Sequence, residues 1–191
     1  MSFISSAYNL LFDQRRFFEE NTNRGLLVPG VLTILYAIVS VIFSIPALSD
    51  AAAQVPGGLG GTVVGISAVS AILYLLLTWV VVSALFFFCL KFIGYAACSF
   101  RDVLSVCGYV SGILLVSAVL TGLVSLIGTP AAVLSLLLQG VFLLWSIPVW
   151  YFGFAAVCDI PQKKLKLSIA IPIIIMVVNT VVTSAGALLA L

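Results

Sequence analysis

The longest stretch of this chain without a charged residue runs from Val103 to Cys158, 56 residues in all. As one helix it would be roughly 84 Å long at about 1.5 Å per residue, nearly three bilayer cores. It therefore reads as two membrane spans. The strong helix breaker near its middle is Gly128-Thr129-Pro130, where glycine can end one helix and proline can enter the first turn of the next. Three more charge-free stretches cover residues 25–49, 51–90 and 167–191, and each supplies the run of about 20 apolar residues that a spanning helix needs. Continuous apolarity without ten-residue alternation favours helices over a β-barrel, and a helix satisfies its own backbone in lipid. The expected fold class is all-α: a polytopic membrane bundle of five transmembrane helices at about 26–48, 62–88, 103–127, 131–156 and 167–189. A soluble alternative fails on composition, since 63% of residues are apolar and 7% charged, against roughly 45–50% and roughly 25% in soluble domains.

The positions of the positive charges orient this bundle. Arg15, Arg16 and Arg24 precede the first span, Lys91 and Arg101 follow the second, and Lys163, Lys164 and Lys166 follow the fourth. With five spans, all eight basic residues fall on one side, as the positive-inside rule expects. Neighbouring residues are not independent, so these are three observations rather than eight. The expected arrangement is a cell-membrane protein with its N-terminus in the cytoplasm and its C-terminus outside. The loop at 49–61, with Asp50 and four glycines but no Lys or Arg, agrees. Ala47-Leu48-Ser49 resembles a signal-peptidase site, but the polar leader and the long apolar segment after it do not fit a signal peptide.

Residues 1–25 form a cytoplasmic segment ahead of the five-span domain at 26–191. Phe3, Ile4, Ala7, Tyr8, Leu10, Leu11, Phe12, Phe17 and Phe18 alternate there with polar and charged residues. That pattern predicts a short amphipathic helix lying in the membrane interface, with aromatics among head groups and arginines near anionic lipid. Asp13, Glu19 and Glu20 cancel its arginines, which excludes nucleic acid as a partner.

The chemical inventory is thin. Without histidine, histidine metal sites and His-activated nucleophiles are ruled out. Cys89, Cys98, Cys107 and Cys158 show no C-x-x-C spacing and fall near the cytoplasmic side, where they stay reduced; they read as packing residues. Asp102 and Asp159 read as helix-end anchors. No ionisable residue lies inside a span, which argues against a proton relay or an ion-coupled pump. The reading is a protein with no cofactor, no metal and no catalytic residues.

Three features inside the spans remain. Gly108 and Gly112 form a GxxxG that Ser117, Thr121 and Ser125 continue as a strip of small residues, suited to close approach by an internal neighbour or by a second copy in a homo-oligomer. Gln139 and Asn179 carry amides that need partners in lipid; interhelical hydrogen bonds of about 0.6–2 kcal/mol account for them more simply than a solute path. Pro29, Pro130 and Pro172 are expected in or near first helical turns, whereas Pro148 falls inside the fourth span and should kink it.

Taken together, Leu11-Phe12-Asp13-Gln14-Arg15-Arg16-Phe17-Phe18, the stretch Ser99-Phe100-Arg101-Asp102-Val103-Leu104-Ser105-Val106-Cys107-Gly108-Tyr109, and Ala156-Val157-Cys158-Asp159-Ile160 with Leu167-Ser168-Ile169-Ala170-Ile171-Pro172 resemble the Yip1 family of five-span membrane proteins. The resemblance covers nearly the whole chain. In many such sequences a proline precedes the paired aromatics, where this chain has Asp13 and Gln14. The resemblance implies a membrane protein without catalytic activity. Eukaryotic relatives act in Golgi membranes and vesicle traffic and contact Rab GTPases through a long hydrophilic N-terminal region; the short segment here does not carry that role and is more similar to prokaryotic members. The function expected is a membrane scaffold, organiser or adaptor, with lipids and a membrane or cytoplasmic protein as partners at its basic face. A passive channel or small-solute permease, using Gln139, Asn179 and the hinge at Pro148, is the alternative.

Overall fold

The computed structural model describes residues 3–20, 25–53, 60–125, 131–158 and 160–189, with side chains described for all of these except 3, 4, 51, 131–133, 136 and 179–189. Arg24, Gly128-Thr129-Pro130, Asp159 and the side chain of Asn179 therefore lie outside the described residues. Among the described residues seven helices run in order: α1 Phe3–Phe12, α2 Gln14–Glu20, α3 Leu27–Ala53, α4 Gly60–Phe92, α5 Phe100–Ser125, α6 Ala131–Val157 and α7 Gln162–Leu189. No strand occurs among the described residues. Among the described residues four segments are long and apolar enough to cross a membrane: Leu27–Asp50, Gly60–Phe92, Phe100–Ser125 and Leu137–Val157. The 56-residue charge-free run is thus divided between α5 and α6, and α7 follows as another long helix of 28 residues.

Contacts between neighbours fix the direction of the long helices. Pro29 lies against Gly108 and Phe43 against Gly122, so α3 and α5 advance together and are parallel. Trp79 Nε1 donates to the Leu104 carbonyl at 3.1 Å while Phe87 meets Phe100, so α4 is antiparallel to both. Successive long helices alternate, as a chain threading back and forth requires. The C-terminal end of α4, the N-terminal ends of α5 and α7 and the C-terminal end of α6 gather at one end. There a Cβ on Gly94 would stand 3.1 Å from Ser168 Oγ and 3.2 Å from Ile160 Cδ1. Because Lys91, Arg101, Lys163, Lys164 and Lys166 sit there, it is called the basic end below.

Among the described residues the contiguous buried core lies toward that end. Phe86 and Leu90 of α4, Val103, Val106, Val110 and Ile113 of α5, Val149 and Phe154 of α6, and Leu165 and Ile169 of α7 pack into one cluster. Phe86 sits between Trp150 and Phe154, with ring centroids 5.1 and 5.2 Å away, distances at which aromatic pairs add about 0.5–1.5 kcal/mol to their burial.

The N-terminal segment differs from the single interfacial helix that its pattern predicts. It forms two helices, α1 and α2, broken at Asp13, and both pack into the bundle. Phe17 and Phe18 are buried and make edge contacts with Tyr109 at 5.0 and 5.9 Å. Leu10 reaches Gly112 of α5, twelve residues beyond the start of that helix and so about 18 Å along it. Trp145 Nε1 donates to the Leu11 carbonyl at 2.8 Å. Tyr8 and Phe12 keep exposed aromatic faces, so apolar surface points both inward and outward.

The prolines correct one expectation. Pro29 is in the first turn of α3 and Pro148 is inside α6, as expected, but Pro172 is the eleventh residue of α7 rather than part of its first turn. The helix starts early because Leu165, Ser168, Ile169 and Pro172 form one buried stripe at helical spacing, which draws the lysine segment into the helix. Pro46 lies inside α3 near its far end.

Candidate functional site

On α5 the two glycines of the small-residue strip are filled from within the chain. Gly108 is filled by Pro29, where an added Cβ would lie 2.5 Å from the proline Cβ, and Gly112 is filled by Leu10 and Leu32. Ser117 is buried and Thr121 partly so, whereas Ser125 is exposed and bonds back to the Gly122 carbonyl at 2.6 Å. Beside the strip, the Ser111 hydroxyl accepts from Thr33 of α3 at 3.0 Å. Three tight glycines carried no sequence signal, because each stands alone: Gly122 against Phe43, Gly153 against Val106 and Phe18, and Gly94 against the Leu90 carbonyl. Gln139 projects from an exposed face of α6 and lines no part of the buried core.

The charged residues divide into two groups with different electrostatics. On α2, Arg15 pairs with Glu19 at 2.8 Å and Arg16 with Glu20 at 2.7 Å, each one helical turn apart. These carboxylates raise both guanidinium pKa values, through the hydrogen bond first and the charge second. Asn9 of α1 donates to Glu20 at 3.2 Å, tying the two short helices together. With Asp13 included, α2 and its approach carry three carboxylates against two arginines, so this sequence cluster is not a cationic surface.

The other five described cations behave differently. Lys91, Arg101, Lys163, Lys164 and Lys166 are all exposed, and none of the ion pairs among the described residues involves them. The carboxylate nearest in sequence, Asp102, is already engaged: it accepts from Ser99 N at 3.1 Å and Ser99 Oγ at 2.8 Å, while its own N–H donates to Ser99 Oγ at 3.2 Å. This reciprocal capping box closes the N-terminus of α5 and assigns Asp102 a structural part. Lys91 is in the last turn of α4, where the helix dipole favours a cation. The three lysines of α7 are in its opening turns, which contain no acidic residue and where the dipole disfavours positive charge. Their placement opposes helix stability and suits an external anion.

Two loops bring these cations together. After α4, Gly94 N bonds to the Cys89 carbonyl at 3.3 Å and Ala96 N to the Leu90 carbonyl at 3.0 Å, closing a tight turn. Tyr95 holds φ at 56°, a left-handed conformation unusual for a bulky residue. Its exposed ring lies under Lys164 Nζ, 4.5 Å from the centroid, within cation–π range. The 93–99 loop thereby meets the start of α7, and the second and third cationic clusters become one surface. Phe88 and Phe92, stacked at 6.1 Å and exposed, extend it with an apolar edge. Aromatic and basic side chains together characterise the membrane–water boundary.

The four cysteines are buried and form no disulfide. Cys98, Cys107 and Cys158 belong to the contiguous apolar core, Cys98 and Cys158 reaching it from the two loops of the basic end, and Cys89 is buried on α4. Among the described residues no three His, Cys, Asp or Glu side chains gather as a metal site.

The family model for the Yip1 domain matches residues 8–183, from within α1 to the latter part of α7. No curated protein and no solved structure matches the chain.

Proposed function

The chain belongs to the Yip1 family, and from that premise we propose that it is a non-catalytic membrane organiser that recruits anionic lipid head groups, and through them a membrane or cytoplasmic protein partner, at its basic end. In this reading α3 to α7 are five spans of the cell membrane, the basic end faces the cytoplasm and the C-terminus lies outside. The observation that carries it is the contrast between five exposed cations without a carboxylate partner among the described residues and the two arginines of α2, which are fully paired. Each unpaired cation near an anionic leaflet contributes about 1 kcal/mol of attraction. The lysines at the start of α7 add oriented backbone N–H groups to that charge.

Lipid retention tests this directly. Native mass spectrometry of the protein released from phosphatidylglycerol–phosphatidylcholine membranes should show phosphatidylglycerol enriched on the wild type. Enrichment should fall when Lys91, Arg101, Lys163, Lys164 and Lys166 are all changed to Gln, and persist in Arg15→Gln/Arg16→Gln. Equal retention of both lipids by the wild type overturns the proposal. Reporter fusions at 55, 96, 129 and 191 test the orientation; finding 55 and 191 on the same side as 96 overturns the five-span arrangement.

A further inference from the structure

The packing of α1 sets its depth along the bundle. The apolar span of α3 opens at Leu27, and Leu10 of α1 meets Gly112 beside Leu32. Leu32 is five residues past Leu27, so α1 lies about 7.5 Å inside that span at about 1.5 Å per residue. An amphipathic helix at a membrane surface buries its apolar face by a similar amount, about 5–10 Å into the boundary between head groups and acyl chains. The outer face of α1 suits this boundary. Tyr8 and Phe12 are exposed with ring centroids 5.1 Å apart, and Phe12 stands edge-on to the exposed Trp145 of α6. Tyr and Trp rings concentrate at membrane–water interfaces. On α2, Arg15, Arg16, Glu19 and Glu20 are exposed, as charges at head-group level are.

The addition is one-sided. The contacts of α1 and α2 with Tyr109, Gly112, Trp145 and Gly153 all fall in the halves of α5 and α6 next to the basic end. The described residues of the far half belong to α3–α7 alone. Since a helix with its side chains is about 10–12 Å across, the leaflet at the basic end must make room for two helices that the other leaflet does not meet. A body wider in one leaflet than in the other fits a bilayer that bends away from its wider side. We propose that α1 and α2 form a one-sided wedge, and that the partner this wedge fits is a bilayer convex toward the basic end, whose spread head groups leave space for the two extra helices. The inference rests on the reading that α3 to α7 span the membrane. It does not rest on the five exposed cations, because shape rather than charge selects the curved surface.

The experiment reconstitutes the full-length protein, carrying a nitrobenzoxadiazole dye on a C-terminal tag, into giant vesicles of phosphatidylcholine alone. Narrow tubes are pulled from the vesicles, and the protein-to-lipid fluorescence of tube and vesicle is compared before and after external dithionite, which bleaches outward-facing dye. With five spans, the dye that survives marks molecules whose basic end faces outward, on the convex side of the tube. These should be enriched in the tube by about twofold or more, and the oppositely oriented molecules depleted. The Tyr8→Gln/Phe12→Gln variant changes exposed side chains only and should lose most of the enrichment, while the variant with Lys91, Arg101, Lys163, Lys164 and Lys166 all changed to Gln should keep it. The proposal is overturned by equal partition of both orientations, by unchanged enrichment in Tyr8→Gln/Phe12→Gln, or by loss of enrichment in the five-cation variant. Failure of anionic-lipid retention leaves this result untouched, since no anionic lipid is present, and failure of the five-span arrangement shows separately in the reporter fusions.

Discussion

Along α4, Phe86 and Leu90 are completely buried, while Leu73 and Leu77 of the same helix are 62% and 61% exposed. The same change occurs along α6, where Val149 and Phe154 are buried and Leu137 and Leu144 are 61% and 63% exposed. Along these two helices the half toward the basic end is packed like a protein interior, and the described residues of the far half include many apolar side chains that face outward. Hydrophobicity does not distinguish the halves, since both are made of Leu, Val, Ile and Phe. In lipid it cannot, because acyl chains are as apolar as leucine and helices associate through shape and hydrogen bonds. The basic half has that shape: interlocked aromatic rings, the glycines Gly108, Gly112 and Gly153, and two short helices filling the space between α5 and α6. A compact half is what a fixed interaction surface needs beneath it, and a lipid-facing half is what anchors it.

The largest test of this contrast uses α4 alone. Phe86→Ala removes a buried ring wedged between two others and should cost about 3–5 kcal/mol, whereas Leu77→Ala, on an exposed face, should cost under about 0.5 kcal/mol. Thermal unfolding in detergent measures both. Equal effects would mean that the two halves are packed alike in solution. Next in size is a pair of glycines. A side chain at Gly108 would meet both the ring and the backbone of Pro29, while the surroundings of Gly140 are open. Gly108→Leu should therefore cost about 3 kcal/mol from overpacking and Gly140→Leu close to nothing.

These two regions were not equally legible. The apolar runs and the division of the 56-residue stretch could be read because charge is excluded from lipid, and the Gly108–Gly112 strip could be read because its spacing is local. The inward docking of α1 and α2 could not. Phe17 and Phe18 among arginines and glutamates fit a membrane interface as well as a groove, and the groove is built from Tyr109 and Gly153, far away in sequence. For the same reason the partnership of Tyr95 with Lys164 depends on a loop and a helix start meeting only after the helices have packed. The capping of Asp102 by Ser99 is local, but a Ser-x-x-Asp pair is common enough to pass unnoticed until its bonds are seen.

A smaller effect examines how firmly α1 belongs to the packed half. Trp145 stands at the edge of that half, its N–H on the Leu11 carbonyl and its ring edge-on to Phe12 at 6.0 Å. Trp145→Phe keeps the ring contact and deletes the donor, so it should cost about 1 kcal/mol. Proteolysis of residues 3–20 should become faster while the unfolding midpoint of the bundle moves little. If cleavage is unchanged, α1 is held by Leu10 against Gly112 and by the Asn9–Glu20 bond to α2.

The smallest effect is at the basic end itself, where strain and attraction oppose each other in one residue. Tyr95 pays about 1–2 kcal/mol for its left-handed backbone, and its ring returns about 0.5–1 kcal/mol through Lys164. Tyr95→Gly relieves the first and loses the second, so its net effect on stability should be within about 1 kcal/mol and uninformative alone. A double-mutant cycle separates the two. Lys164→Gln should cost about 0.5 kcal/mol in the wild type and nothing in the Tyr95→Gly background. A coupling of zero would show that the ring and the ammonium merely lie near each other, and that the turn is held by the Ala96 N to Leu90 carbonyl bond without help from α7. A positive coupling would show that the strained turn is maintained so that the lysines of α7 and the cations flanking the 93–99 loop are presented together.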